Sequence, residues 1–216
     1  MIILHDYIDI KLGEHTLRLL PEKGALWSQQ NTLLVADLHL GKAETFQASG
    51  VAVPSGHHDQ DLECLRQLCQ KAQPKSLAIL GDLFHARAGL NESLINTIAE
   101  AFKKLELDIL WIAGNHDRHL HNLAETLGVR LEHQLLIDGL LLTHKPVQEN
   151  VPNVCGHLHP RARLWMQKEK IDLPCFVLEE STLILPAFSS FTAGTQMKKR
   201  ASRGLYACVE TKVLEL

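Results

Sequence analysis

The sequence predicts an α/β protein: one domain over residues 1–216, with two facing mixed β-sheets flanked by helices and polar loops at one edge. Three observations lead there. Apolar runs such as Leu33-Leu34-Val35-Ala36, Leu77-Ala78-Ile79-Leu80 and Ile109-Leu110-Trp111-Ile112-Ala113 are short and bounded by turn residues, as buried strands are. Segments with helical spacing alternate with these runs up to Gly128. From Arg130 onward the pattern is mostly β.

The elements follow in order. Residues 1–10 and 16–20 form a small meander, with turns at Gly13 and at 21–24. Residues 32–37 are the first buried strand, and 41–49 a short helix. Pro54, Ser55 and Gly56 open a longer helix over 58–71, where Leu62, Leu65, Leu68 and Cys69 recur at helical spacing. Pro74 ends it before a strand at 76–80. Asn91 caps the next helix, whose apolar face holds Leu94, Ile95, Ile98, Ala99 and Phe102. A strand at 108–113 leads into a short helix at 120–127, stopped by Gly128. Residues 130–137 and 140–143 form a hairpin, because Asp138-Gly139 takes the primed turn that strand twist prefers. Strands at 151–155, 161–166, 175–178, 182–185 and 205–214 complete the chain.

Composition narrows the function classes. A net charge of -3 gives no global attraction to nucleic acid, so any such binding needs a local basic patch. Five cysteines without paired metal-finger spacing read as reduced, mostly buried thiols of a cytoplasmic protein. Asp6 comes too early for a signal peptide, and no apolar run reaches membrane-spanning length. Thirteen histidines are many for this length, and they point to metal chemistry.

Five polar clusters each close an apolar run. They are Asp37-Leu38-His39, Gly81-Asp82, Gly114-Asn115-His116-Asp117, Thr143-His144 and Gly156-His157-Leu158-His159. Ligands at the carboxyl ends of such strands sit where open α/β sheets place their sites. In an extended strand residues i and i+2 face the same way, so Asp37 and His39 point together, as do His157 and His159. The two oxygens of Asp82 can serve one cation each. Glycines 81, 114 and 156 allow sharp turns beside the ions. Mixed oxygen and imidazole ligands suit manganese, iron or zinc better than calcium or magnesium.

In this order the clusters D-x-H, G-D, G-N-H-D, H and G-H-x-H resemble the calcineurin-like metallophosphoesterase superfamily over residues 32–159. The resemblance implies a four-layer α/β/β/α sandwich and a two-metal site. One ion would be held by Asp37, His39, Asp82 and His159, the other by Asp82, Asn115, His144 and His157, with Asp82 bridging. His116 would be transition-state stabiliser or general acid, and Asp117 would orient its imidazole. Asp37-Leu38-His39-Leu40-Gly41-Lys42, Phe46, Gly50-Val51-Ala52-Val53-Pro54, Gly81-Asp82-Leu83-Phe84-His85-Ala86-Arg87 and Leu185-Pro186-Ala187-Phe188 through Phe191-Thr192 are similar to a narrower bacterial branch. That branch is the metallophosphoesterase encoded beside a DNA ligase, a helicase and an exonuclease in DNA-repair clusters. It implies a manganese-dependent endonuclease on single-stranded DNA, using a hydroxide between the ions for in-line attack, and a functional association with those repair proteins.

Other residues are candidates for the substrate. His85 can contact the leaving group, orient a neighbour, or be a plain surface histidine. Lys42, Arg87, Arg118 and Lys145 lie near the motifs and can neutralise phosphates, as can the basic run 198–203, which reads equally as a solvated loop. Phe46, Phe84 and Phe191 can stack bases or fill the core. His57 and His58 are given no site role; His119 and His121, just past Asp117, read as rim positions or, in preference, as an exposed helix. The competing functions are a small-molecule phosphomonoesterase or nucleotide hydrolase, and a non-catalytic scaffold, which the complete ligand set disfavours. His85 stands where phosphoprotein phosphatases of the superfamily carry the second Asp of G-D-x-x-D-R-G.

Overall fold

The computed structural model describes residues 4–54, 56–148, 151–166 and 169–216, and the expected helix opening at Ser55 lies outside them. The first half of the chain comprises β1 (Leu4–His5), β2 (Ile8–Leu12), β3 (His15–Leu19), β4 (Ala25–Trp27), β5 (Thr32–Val35), α1 (Lys42–Ala48), α2 (His57–Ala72), β6 (Ser76–Leu80), α3 (Glu92–Lys103), β7 (Asp108–Ile112), α4 (Leu123–Leu127) and β8 (Arg130–Glu132). The second half is β9 (Leu135–Ile137), β10 (Leu140–Leu142), β11 (Asn153–Cys155), β12 (Pro160–Met166), β13 (Glu169–Glu179), β14 (Thr182–Ile184), β15 (Thr195–Met197), β16 (Arg203–Val209) and β17 (Lys212–Glu215).

Two mixed sheets result, as expected for the α/β class. The first runs β2-β3-β4-β5-β6-β7-β8, antiparallel to β5 and parallel from there on. The second runs β1-β17-β16-β13-β14-β11-β10-β9, with β12 and β15 attached beside β13. Strand alternation sends β5–β7 side chains both ways. Leu33, Val35, Leu77, Ile79 and Trp111 meet Leu62, Leu65, Leu68, Ile98 and Phe102 of the helices. Leu34, Ala78, Leu80 and Ile112 meet Leu140, Leu142, Val154, Phe176 and Leu183 of the second sheet. Burial on both faces is why these runs are apolar throughout. Among the described residues all helices precede Gly128. The far face of the second sheet is packed by its own strands, through Ala162, Cys175, Val177 and Leu205. Four of the five cysteines are buried and all are unpaired. No helix among the described residues is long and apolar enough to cross a membrane.

Asn91 caps α3 as expected, its Oδ1 accepting the amide of Leu94 at 2.9 Å. The hairpin at Asp138-Gly139 is present, with Leu140 opposite Ile137. Residues 130–137 are not one strand, however. Arg130–Glu132 joins the first sheet parallel to β7, and Leu135–Ile137 joins the second. The exposed pair His133 and Gln134 carries the chain between layers. Likewise 205–214 is two strands turning at Glu210, where a positive φ of 49° needs no glycine. β4, β15 and the polar half of β13 carry too little apolar alternation to be read from sequence.

Candidate metal centre

The parallel strands β5, β6 and β7 end on one edge, and β10 and β11 of the facing sheet end beside them. That edge gathers Asp37, Asp82, Asn115, His144 and His157. The backbone there is not extended. Asp37, His39, Asp82, His157 and His159 all have left-handed φ, between 44° and 72°. Asp and His enter this region more readily than most residues, yet five such positions in one site carry about 1–3 kcal/mol of strain each. The strand-alternation argument for the two His pairs is therefore corrected: the motifs begin where the strands stop, and each ligand is aimed by a turn. Loop 37–40 and loop 81–85 lie side by side, with His39 N–H donating to Asp82 O at 2.9 Å and His85 N–H to Leu40 O at 3.0 Å.

Donor atoms converge in three groups. His39, His85 and His116 form one without a carboxylate; of the two that include one, Asp37, His39 and His159 form the first, and Asp82, His144 and His157 the other. His39 Nε2 lies 3.2 Å from His159 Nε2 and 3.9 Å from Asp82 Oδ2. His159 Nε2 is 3.6 Å from Asp37 Oδ2. In the other group His144 Nε2 is 3.0 Å from Asn115 Oδ1 and 3.5 Å from Asp82 Oδ2. Asp82 Oδ2 thus faces both groups. Its Oδ1 accepts the amide of His116 at 2.9 Å.

The residues fit cations on this structure's own terms. Asp37 Oδ1 is buried with no hydrogen-bond partner among the described residues, a costly state for a carboxylate unless positive charge faces it. His144 Nδ1 lies 3.3 Å from Leu80 O and His159 Nδ1 3.2 Å from Ala193 O. A carbonyl only accepts, so Nδ1 carries the hydrogen in each and Nε2 offers a lone pair. Burial first, then the neighbouring imidazoles of His159, His116 and His85, hold the pKa of His39 down at about 2. Burial and His144 also lower His157. Burial opposes charge on His159 too, but the hydrogen bond and charge of Asp37 outweigh it and raise its pKa. Close packing leaves the glycines no substitute. A Cβ on Gly81 would stand 1.9 Å from His144 Nδ1, and one on Gly114 2.1 Å from Asp82 Oδ1.

The role expected of Asp117 is corrected. Its carboxylate is fully buried and accepts from Gly114 N at 2.8 Å, Trp111 Nε1 at 3.0 Å, Phe84 N at 3.1 Å and Leu83 N at 3.3 Å. Burial raises its pKa against those donors. It braces the loops and does not touch the imidazole of His116. That ring is held by the carbonyl of His85, 2.6 Å from Nδ1, and stacks on the His85 ring with centroids 5.2 Å apart. His116 Nε2 then faces the centre, 4.0 Å from Asp82 Oδ2, on an exposed side chain. His85 is half-buried, its Nδ1 3.4 Å from that of His39, and burial with Lys42 lowers its pKa to about 4.

Of the other candidates, Arg118 and Lys145 are exposed and share a cleft with Asn115 and His144. Lys42 is half-buried on the rim beside His39 and His85, donating to Thr192 Oγ1 at 3.3 Å with its Nζ 5.5 Å from the Phe191 ring. Phe191 stacks on His57 at 4.7 Å and meets Phe46 at 6.0 Å, so His57 belongs to that rim. His58 pairs with Glu44 at 2.9 Å. Arg87 lies away from the centre, in a hollow with Leu90, Asn91 and Thr126. Phe84 is fully buried against Trp111, as core. Arg203 of the basic run is committed to Glu179 at 2.7 Å. Sequence reading missed Asp61, which is buried and accepts from Ser189 Oγ and Ser190 N, pinning the loop beside Asp37. It also missed the carbonyls of Leu80, His85 and Ala193, which have no sequence signal.

A family model described as calcineurin-like phosphoesterase matches residues 31–197. Among solved structures, the Pseudomonas putida nuclease MPE is similar at 30% identity, covering 97% of this chain and 100% of that one, with a TM-score of 0.84. Yfce, a phosphoesterase from E. coli, is similar at 16% identity over 81% of this chain and 86% of that one, with a TM-score of 0.39. No curated protein matches the chain.

Proposed function

The chain belongs to the calcineurin-like phosphoesterase family, and from that premise we propose that it is a manganese-dependent endonuclease cleaving single-stranded DNA in the cytoplasm, in DNA repair. The observation that carries this reading is the likeness to the Pseudomonas putida nuclease along both whole chains, which extends well beyond the metal motifs. In this reading Asp37, His39 and His159 would hold one ion, and Asn115, His144 and His157 the other. Asp82, whose Oδ2 lies near His39 and His144, would serve both. Two divalent ions, when bound, neutralise phosphate charge and make water a nucleophile near neutral pH. Manganese is the proposed pair, with iron or zinc as alternatives for this donor set.

The chain's own groups supply the rest. The left-handed turns and buried braces fix the donor atoms before substrate arrives, so little reorganisation remains for the reaction. His116 is positioned by His85 O through Nδ1–H, which leaves Nε2 toward the reacting phosphate. As imidazolium it donates Nε2–H to a phosphate oxygen or to the departing alkoxide. Its exposed edge admits a long substrate.

The test supplies manganese and compares single-stranded DNA, dinucleotides and a nitrophenyl monoester. Cleavage of DNA is expected to dominate; turnover of small monoesters with DNA left intact would replace the nuclease reading by that of a small-molecule phosphatase. In the same assay His116→Ala is expected to keep its metal while turnover falls on the order of 10²–10⁴-fold.

A further inference from the structure

We propose that the cleft beside Asn115 and His144 is a subsite for phosphates flanking the scissile bond, which makes a polynucleotide strand the substrate class. This rests on the phosphodiesterase reading above and adds where the strand runs. The cleft encloses about 410 Å³ and is lined by Arg118, His121, His133 and Lys145 together with the ligand residues Asn115 and His144. Among the described residues no carboxylate lines it. Among the described residues Arg118 and Lys145 make no ion pair and both are exposed, so their charge is free for an incoming anion. Elsewhere most arginines are committed: Arg18, Arg66, Arg130, Arg163 and Arg203 each hold a carboxylate.

Two further features mark the cleft as a place for a polar ligand. The hydroxyl of Thr143 donates to Lys145 O at 2.7 Å, holding the lysine backbone against the ligand His144. His121 stands between Trp111 and His133, with ring centroids 6.5 and 5.3 Å away, and its Nε2 is buried with no partner among the described residues. A buried ring nitrogen without a partner is unfavourable unless water or a ligand oxygen completes it. A phosphate between Arg118 and Lys145 can accept from both cations. A strand anchored there enters the metal centre from the Asn115 side and leaves toward Lys42 and Phe191. A free phosphomonoester carries no flanking phosphate to place in the cleft.

The experiment measures steady-state cleavage of a short single-stranded oligonucleotide and of bis-nitrophenyl phosphate, each with manganese over a series of salt concentrations. Wild type is compared with Arg118→Ala/Lys145→Ala and with Lys145→Glu. The double variant is expected to raise KM for the oligonucleotide by about tenfold or more. The slope of log affinity against log salt should become shallower by roughly 0.7 for each lost contact. The ratio of kcat/KM for oligonucleotide over small diester should fall, and fall further in Lys145→Glu. An unchanged ratio and salt slope in both variants overturns the subsite while leaving the nuclease reading intact. If wild type turns over the small diester but never the oligonucleotide, the nuclease reading falls and takes the subsite with it.

Discussion

The half of the metal centre built on the first sheet is tied to itself, whereas the half built on the second sheet is tied to the first. Loops 37–40 and 81–85 hold each other by main-chain hydrogen bonds, and Asp117 gathers donors from Leu83, Phe84, Trp111 and Gly114. Loop 156–159 instead hangs on its neighbour. His157 N–H donates to Asp37 Oδ2 at 2.8 Å, and Ser189 and Phe188 donate to Asp37 O and Ala36 O at 3.3 and 2.8 Å. Within the second sheet, Gly156 N–H reaches His144 O at 3.0 Å. So one carboxylate, Asp37, both offers itself to a cation and places the histidines opposite it. The first half is preorganised by buried braces, and the second takes its position from Asp37 of the first.

Removing the brace of the first half should have the largest effect. Asp117→Ala leaves several buried donors unpaired at once, each worth about 1–3 kcal/mol, so a loss of at least about 3 kcal/mol is expected. Denaturant midpoints measure it, and Asp117→Asn should fall between. If Asp117 served to orient His116, the alanine variant would alter the pH profile of turnover with a nearly unchanged midpoint. That result would break the contrast between the halves.

The junction between the halves is sharpened by Gly156→Ala. The added Cβ would stand 2.6 Å from both Ala36 Cβ and Asp37 Oδ2, with Leu80 O at 3.1 Å. Loop 156–159 must then lift away from Asp37. Overpacking of this kind costs about 1–3 kcal/mol, less than the loss of Asp117. Metal affinity should drop on the order of 10–100-fold, as when an outer support of a metal site is lost. Calorimetric manganese titration of the folded variant reads it. Wild-type affinity would mean that the second half adjusts freely.

These contrasts were only partly legible in the sequence. The runs ending at Ala36, Leu80 and Ala113 are buried on both faces, so their apolar continuity and polar stops announced the strands and the site edge. Asn91 announced its helix because capping is local. The left-handed turns at Asp37, His39 and His157 were not legible, because nothing in Asp-x-His distinguishes an extended pair from one aimed by loop-to-loop bonds. Asp117 misled for a related reason. Its place beside His116 suggested a partner, while its actual partners are the amide of Gly114, amides 33 and 34 positions away and the indole of Trp111. The division of 130–137 between sheets was hidden because each piece is only three residues long, too short to show a period.

The smallest expected effect is on the acid stability of the chelated protein, where His159 of the second half carries the opposite sign to His39 and His85 of the first. His39 and His85 in the first half have folded pKa values of about 2 and about 4, below the ordinary 6.5. Their contribution is therefore complete above about pH 6.5 and is lost as pH falls toward those values, because the unfolded chain takes up protons first. His159 in the second half has a raised pKa, so its contribution is present below 6.5 and is lost as pH rises through the folded value. His157 is lowered and adds to the acid loss. Two lowered groups in the first half and one in the second outnumber the raised one, so the midpoint of the chelated protein should fall between about pH 7 and about pH 5. His85→Gln should shrink that fall, and His159→Gln should enlarge it. The same direction of change in both variants would mean that Asp37 does not hold a proton on His159. The second half would then owe less to that carboxylate than its hydrogen bonds imply.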